Sequence, residues 1–122
     1  MVARAPDEVS HPTIALDDVV HQRARLGILA VLAESRRADF TFLRRALELT
    51  DGNLSRHLQV LEQAGHVEIE KTFEARRPRT WVAATSKGRK ALAEEVSALR
   101  ALVARVDGAG HHADTHPAPE AE

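Results

Sequence analysis

Cysteine is absent from the 122 residues, which excludes disulfides and thiolate metal sites, zinc fingers among them. Aromatic residues are nearly absent too: one tryptophan, three phenylalanines and no tyrosine. So few flat side chains argue against a single-strand or RNA binder, which stacks unpaired bases on aromatic rings. No hydrophobic run approaches the ~20 residues that span a bilayer, and the amino-terminal MVARAPDEVSHP lacks the apolar centre of a signal peptide. The expectation is a soluble, cytoplasmic protein with no membrane partner. No nucleophile, base and orienting group, phosphate-binding glycine loop or carboxylate pair stands in a recognisable context, so an enzyme is not expected.

What is present suits one modest domain, with 43% hydrophobic and 29% charged residues. The formal charge of -1 looks unfavourable for a partner of nucleic acid until the acids are located. Asp7, Glu8, Asp114, Glu120 and Glu122 lie in segments that read as disordered tails, residues 1–13 and 108–122. The remainder, residues 14–107, carries 16 basic and 13 acidic residues. Within it the stretch from Lys71 to Lys90 carries seven basic residues, Lys71, Arg76, Arg77, Arg79, Lys87, Arg89 and Lys90, against one acid, Glu74. Local field decides what a surface attracts, more than the total charge does.

Residues Leu16 to Ser35 read as a helix with a break near His21, and LGILAVLA within it is apolar on every side, predicting burial on more than one face. Ala38 to Phe40 reads as a short strand. Thr41 is placed to cap a brief helix through Leu47, with Leu43, Ala46 and Leu47 inward. A second helix runs from Thr50, its cap, to Ala64, with Gly65 as the left-handed residue that ends it. Leu54, Leu58 and Leu61 share one side; Gly52, Arg56, Gln59 and Gln63 share the other. Two short helices joined this way form a helix-turn-helix.

The outer face of that second helix is the first functional clue. It offers Asn53, Ser55, Arg56, Gln59 and Gln63, side chains able to bond to base edges or phosphates, where an ordinary wet face carries more Glu and Lys. Asp51 fits the helix start as a cap-region acid rather than a base contact. His57, beside the leucine face, fits a partly buried residue and a base reader equally.

Next the period changes to two: Val67, Ile69 and Phe73 alternate with Glu68, Glu70 and Thr72, and Trp81 and Val82 mark a returning strand. Between them Glu74-Ala75-Arg76-Arg77-Pro78-Arg79 makes a cationic tip, with three guanidinium groups expected in water. Trp81 reads as hairpin core. Helix followed by arginine-tipped hairpin is the pattern of a grip on double-stranded DNA.

Thr85 or Ser86 can cap a final helix reaching about Val106, in which Leu92, Val96, Leu99, Val103 and Val106 form a heptad seam. With the all-apolar Leu26 and Leu29 region, that seam predicts a homodimer. Gly108 and Gly110 are expected to end the helix. His111, His112, Asp114 and His116 have metal-ligand chemistry, but a flexible tail without supporting hydrogen bonds makes neither a metal site nor any other cofactor site the expectation.

The segments LTDGNLSRHLQVLEQAGHVE, the arginine hairpin and ATSKGRKAL, in this order, resemble the ArsR/MarR-type winged-helix transcriptional regulators over roughly Leu16 to Val106, and most of all their small single-domain members. The resemblance implies a mainly α winged helix-turn-helix fold with a small β-hairpin. It implies that the Thr50–Ala64 helix enters the major groove and that the Val67–Ala83 hairpin lies along the backbone or minor groove. Asn53, Ser55, Arg56 and His57 would then face groove or phosphate, and Lys71, Arg76, Arg77 and Arg79 would be wing contacts. Metal-sensing relatives use cysteine pairs or His and carboxylate ligands on the last helix, and residues 86–106 hold no histidine. The expected function is a sequence-specific regulator, most simply a repressor, that binds a pseudo-palindromic operator as a dimer. The rival is a winged-helix adaptor that binds protein instead of DNA. Operator, regulated genes and any small-molecule effector are not written in the sequence.

Overall fold

A computed structural model describes residues 11–115. A 3-10 turn at Pro12–Ala15 leads to helix α1 (Arg23–Ala33), strand β1 (Ala38–Asp39), helix α2 (Phe40–Ala46) and helix α3 (Asp51–Gln63). Strands β2 (Val67–Glu74) and β3 (Arg77–Ala84) and the long helix α4 (Ser86–Thr115) complete the chain. The sheet is antiparallel with β3 in the middle, Ala38 opposite Val82 and Val67 opposite Ala84.

The core is aliphatic: Val20, Ile28, Leu29, Leu32, Leu43, Leu54, Leu58, Leu61, Val67 and Val82 are all buried. They come from α1, α2, α3, β2, β3 and the segment before α1; β1 adds Ala38, and α4 lays Ala91 and Leu92 against the cluster. Each fully buried Leu, Ile or Val contributes about 1.5–3 kcal/mol of transfer free energy, so this one cluster fixes the angles among α1, α2, α3 and the sheet. The expected inward position of Ala46 is not realised, for Ala46 is exposed and Leu43 and Leu47 face the core.

Three local departures from the sequence expectations have clear causes. Helix α1 begins at Arg23 rather than Leu16, because Asp17 accepts from the amides of Val19 (2.8 Å) and Val20 (3.2 Å) in a tight turn. Gln22 then caps the helix by accepting from Arg25 N at 3.0 Å. Helix α2 is capped by Asp39, whose Oδ1 accepts from Phe42 N at 2.7 Å, and not by Thr41. Helix α4 continues past Gly108 to Thr115 instead of stopping near Val106. Side chains of His111, His112, Asp114 and His116 lie outside the described residues.

Helix α4 is anchored at both of its inner contacts. At its start, Thr85 Oγ1 accepts from Gly88 N (2.9 Å) and donates to Gly65 O (2.6 Å), while Thr85 N donates to His66 O at 3.0 Å. Two turns further, the buried Glu95 accepts from Asp17 N at 3.1 Å and meets His21 Nδ1 at 2.5 Å, tying the segment before α1 to α4. A buried carboxylate with both oxygens partnered avoids the cost of an unpaired charge.

Candidate nucleic-acid interface

Burial of Leu54, Leu58 and Leu61 sets the rotation of α3 and leaves Gly52, Asn53, Ser55, Arg56, Gln59 and Gln63 exposed. Thr50 Oγ1 accepts from Asn53 N at 3.1 Å, so the expected cap is present, and Gly65 takes φ +80° at the other end. Asp51 stands in the first turn and pairs with Arg44 Nε of α2 at 3.0 Å, an exposed ion pair that offsets part of its charge. Asn53 Oδ1 accepts from Arg56 Nη2 at 2.8 Å, which steers the exposed guanidinium along the outer face.

His57 is turned inward. Arg25 Nη1 lies 3.3 Å from its Nδ1, and Arg25 Nε donates to Val19 O at 2.6 Å. Burial first, then the charges of Arg25 and Arg56, hold the imidazole below its ordinary pKa, so it stays neutral and accepts from Arg25. This places His57 as a prop between α1 and α3 and removes it from the outer face where Asn53 and Arg56 lie.

The hairpin alternates between two faces. Val67, Ile69, Lys71 and Phe73 of β2 stand beside Ala84, Val82, Thr80 and Pro78 of β3 on the side toward α3. That row runs from buried Val67 to Phe73, 73% exposed, so the half-buried expectation fails at Phe73 because the wing extends past the core. Between this face and α3 lies an open cleft of about 640 Å³ bordered by Ser55 and Gln59 on one wall and Lys71 and Thr80 on the other. Phe40, Leu58 and Ile69 form its apolar part, and Asp51 and Glu62 also border it.

The opposite face carries Glu70, Thr72, Glu74, Arg77, Arg79 and Trp81. Arg79 does not point free into water. Its Nη2 and Nε lie 2.8 and 3.2 Å from Asp39 Oδ2, and its Nη1 lies 3.3 Å from Glu74 Oε1. Trp81 Nε1 donates to Glu74 Oε2 at 3.0 Å, and the guanidinium groups of Arg37 and Arg79 lie over the indole, 3.8 and 4.8 Å from its centre. Trp81 is thus half-buried and clamped by charged side chains on the face away from α3, outside the aliphatic core. The Arg79 guanidinium holds the Asp39 carboxyl below the usual range, and the Trp81 N–H does the same for Glu74. Among the described residues Lys71, Arg76 and Arg77 make no ion pair.

Sequence reasoning missed Asp39, Arg37 and Arg25. Asp39 had a readable signal, an acid just before a helical stretch. Arg37 and Arg25 had none, since each meets a partner more than 30 residues away.

The dimer-seam residues divide in two. Leu29 is 1% exposed inside the chain's own core and has no surface to offer a partner; Leu26 packs half-buried on that core. Leu92, Val96 and Leu99 are half-buried, while Val103 and Val106 are 57% and 61% exposed. Among the described residues no helix is long and apolar enough to cross a membrane, and no group of three His or carboxylate residues could hold a metal ion.

Comparison with known proteins agrees with this architecture. A transcriptional regulator homologue from Pyrococcus horikoshii OT3 is 36% identical, with a TM-score of 0.72 over 78% of this chain and 94% of its own. The Mycobacterium tuberculosis transcriptional regulator MOSR, solved in complex with DNA, is 26% identical with a TM-score of 0.63 over 80% of this chain and 69% of its own. An uncharacterized protein of Methanocaldococcus jannaschii is 43% identical over 67 residues, 55% of this chain and 73% of that one. The family model described as a winged helix DNA-binding domain matches residues 24–103, and the chain belongs to that family of transcriptional regulators, not to a family of enzymes.

Proposed function

We propose that this winged-helix regulator binds a specific double-stranded DNA operator as a homodimer and acts as a repressor. The observation that carries the reading is an open cleft with Ser55 and Gln59 of the helix on one wall and Lys71 of the hairpin on the other, continued by the exposed Asn53, Arg56 and Gln63 along the helix and by the exposed Arg76 and Arg77 at the wing tip. A helix carrying amide and guanidinium groups matches the donor and acceptor pattern of the major groove. Cations on the adjacent wing neutralise backbone phosphates and release counterions. Arg56 is assigned to guanine, Gln59 to adenine, and Asn53 and Ser55 to base edges or phosphate.

Dimerisation is supported by the exposed Val103 and Val106, which prolong the half-buried Leu92, Val96 and Leu99 stripe along α4. A two-fold pair of recognition helices reads half-sites about one helical turn, ~34 Å, apart. Occupying such a site at a promoter blocks polymerase, which favours repression.

Selection of bound sequences from random duplex DNA tests the reading. Two inverted half-sites are expected, with Arg56→Ala costing about 1–3 kcal/mol and relaxing one position of each. Enrichment of a single asymmetric site would remove the dimer, and absence of duplex binding at low salt would leave the adaptor reading in its place.

A further inference from the structure

The network around Trp81 lies on the sheet face turned away from α3 and joins β1, β2 and β3. Asp39 Oδ1 caps α2 while Asp39 Oδ2 takes two N–H groups of Arg79 on β3, so one carboxylate binds helix start and wing strand together. The same Arg79 reaches Glu74, the last residue before the wing tip, at 3.3 Å, and Glu74 also accepts from Thr72 and Trp81. Arg37, from the turn before β1, also stacks over the indole and lies 3.8 Å from Glu70. Backbone pairing alone does not set the wing: β1 is two residues long and pairs only with Trp81 and Val82, so among the described residues the hairpin from Lys71 to Thr80 has no third strand beside it.

We propose that Asp39 and Arg79 are positioning residues, a side-chain latch that sets the angle of the wing so that Arg76 and Arg77 meet the DNA backbone. Arg79 therefore acts through Asp39 and Glu74 and is not itself a phosphate contact. The inference rests on the DNA-binding reading above. Its two alternatives are distinguishable by sign. If Arg79 were a phosphate contact held back by Asp39, removing the Asp39 charge would free a cation, remove a repulsive anion and tighten binding. A latch gives the reverse.

The test uses the full chain with Asp39→Asn and Arg79→Lys. Asparagine caps a helix as well as aspartate does, so Asp39→Asn keeps the α2 start intact. Lysine keeps the positive charge but is a point donor that cannot span both carboxylates. At matched salt each variant is expected to bind duplex DNA roughly threefold to tenfold more weakly, and the double variant no more weakly than the worse single, as for residues of one network. Emission from Trp81, the chain's one tryptophan, should shift in both variants without DNA. Tighter or unchanged binding by Asp39→Asn, or wild-type affinity in Arg79→Lys, overturns the latch. Should the unmodified chain bind no duplex at all, the parent reading fails; Trp81 emission and hydrogen exchange of the Lys71–Thr80 amides then still decide the latch, unchanged signals in both variants overturning it.

Discussion

Replacing Gly88 with alanine isolates the contact that seats α4. Alanine in place of a helical glycine normally stabilises by up to about 1 kcal/mol. Here the added Cβ would lie 2.0 Å from His66 O, 2.9 Å from His66 C and 3.0 Å from His66 Cα. An ordinary carbon–oxygen contact is about 3.3 Å, so backbone must move by roughly 1 Å. That movement pulls Thr85 N from His66 O and spoils the Thr85 cap, held at 3.0 and 2.9 Å. The bond and the cap are each worth about 1 kcal/mol, and residual overpacking about 1–3 kcal/mol. Set against the propensity gain, the net is a loss of about 2–4 kcal/mol, or roughly 10–30 °C in Tm for a domain of this size. Gly52→Ala is the control: nothing lies within 4 Å of its Cβ, so the same substitution in α3 should be neutral or stabilising by up to about 1 kcal/mol. Thermal melts followed by circular dichroism measure both. A Gly88→Ala protein as stable as the parent would refute the close approach of α4 to the His66 backbone.

The wing closes on Ala75 and Arg76 with φ 51° and 66°, a left-handed pair that suits Asn-Gly. Ala75→Asn should raise stability by about 0.5–1 kcal/mol in urea titrations, and a lower midpoint would contradict the turn geometry. Arg76→Gly adds the loss of a phosphate contact, seen as a salt slope reduced by about 0.9; an unchanged slope would take Arg76 off the DNA. His57, with its pKa held down, favours the neutral form in the fold. Its stabilisation is present above the usual 6.5 and is lost as pH falls below that value. His57→Gln should flatten the dependence of urea midpoints on pH in that window, and identical curves would defeat the Arg25 prop. Val103→Glu with Val106→Glu should yield monomers in sedimentation and reduce operator affinity to that of a half-site, whereas a parent chain already monomeric at micromolar concentration would exclude α4 as the seam.

Periodicity and caps carried most of the architecture in the sequence. Leu54, Leu58 and Leu61 at helical spacing fixed which side of α3 faces out, so Asn53, Arg56, Gln59 and Gln63 could be named before any coordinates. Thr50 and Gly65 gave the ends of that helix, and the period-two run from Val67 gave the hairpin. These features were legible because each depends on neighbours within a turn or two of chain. The homodimer seam along α4 and the operator belong to the proposal.

Only the tertiary structure decided which cations are spoken for. Arg76, Arg77 and Arg79 look alike in sequence, yet Arg79 is held by Asp39, 40 residues away, and the other two make no ion pair among the described residues. His57 likewise lost its place among base readers to Arg25, and Leu29 left the dimer seam for the core. Side-chain type and local spacing determine what a residue could bond to. Which partner it bonds to depends on long-range packing, because the aliphatic core brings distant charges within reach of one another.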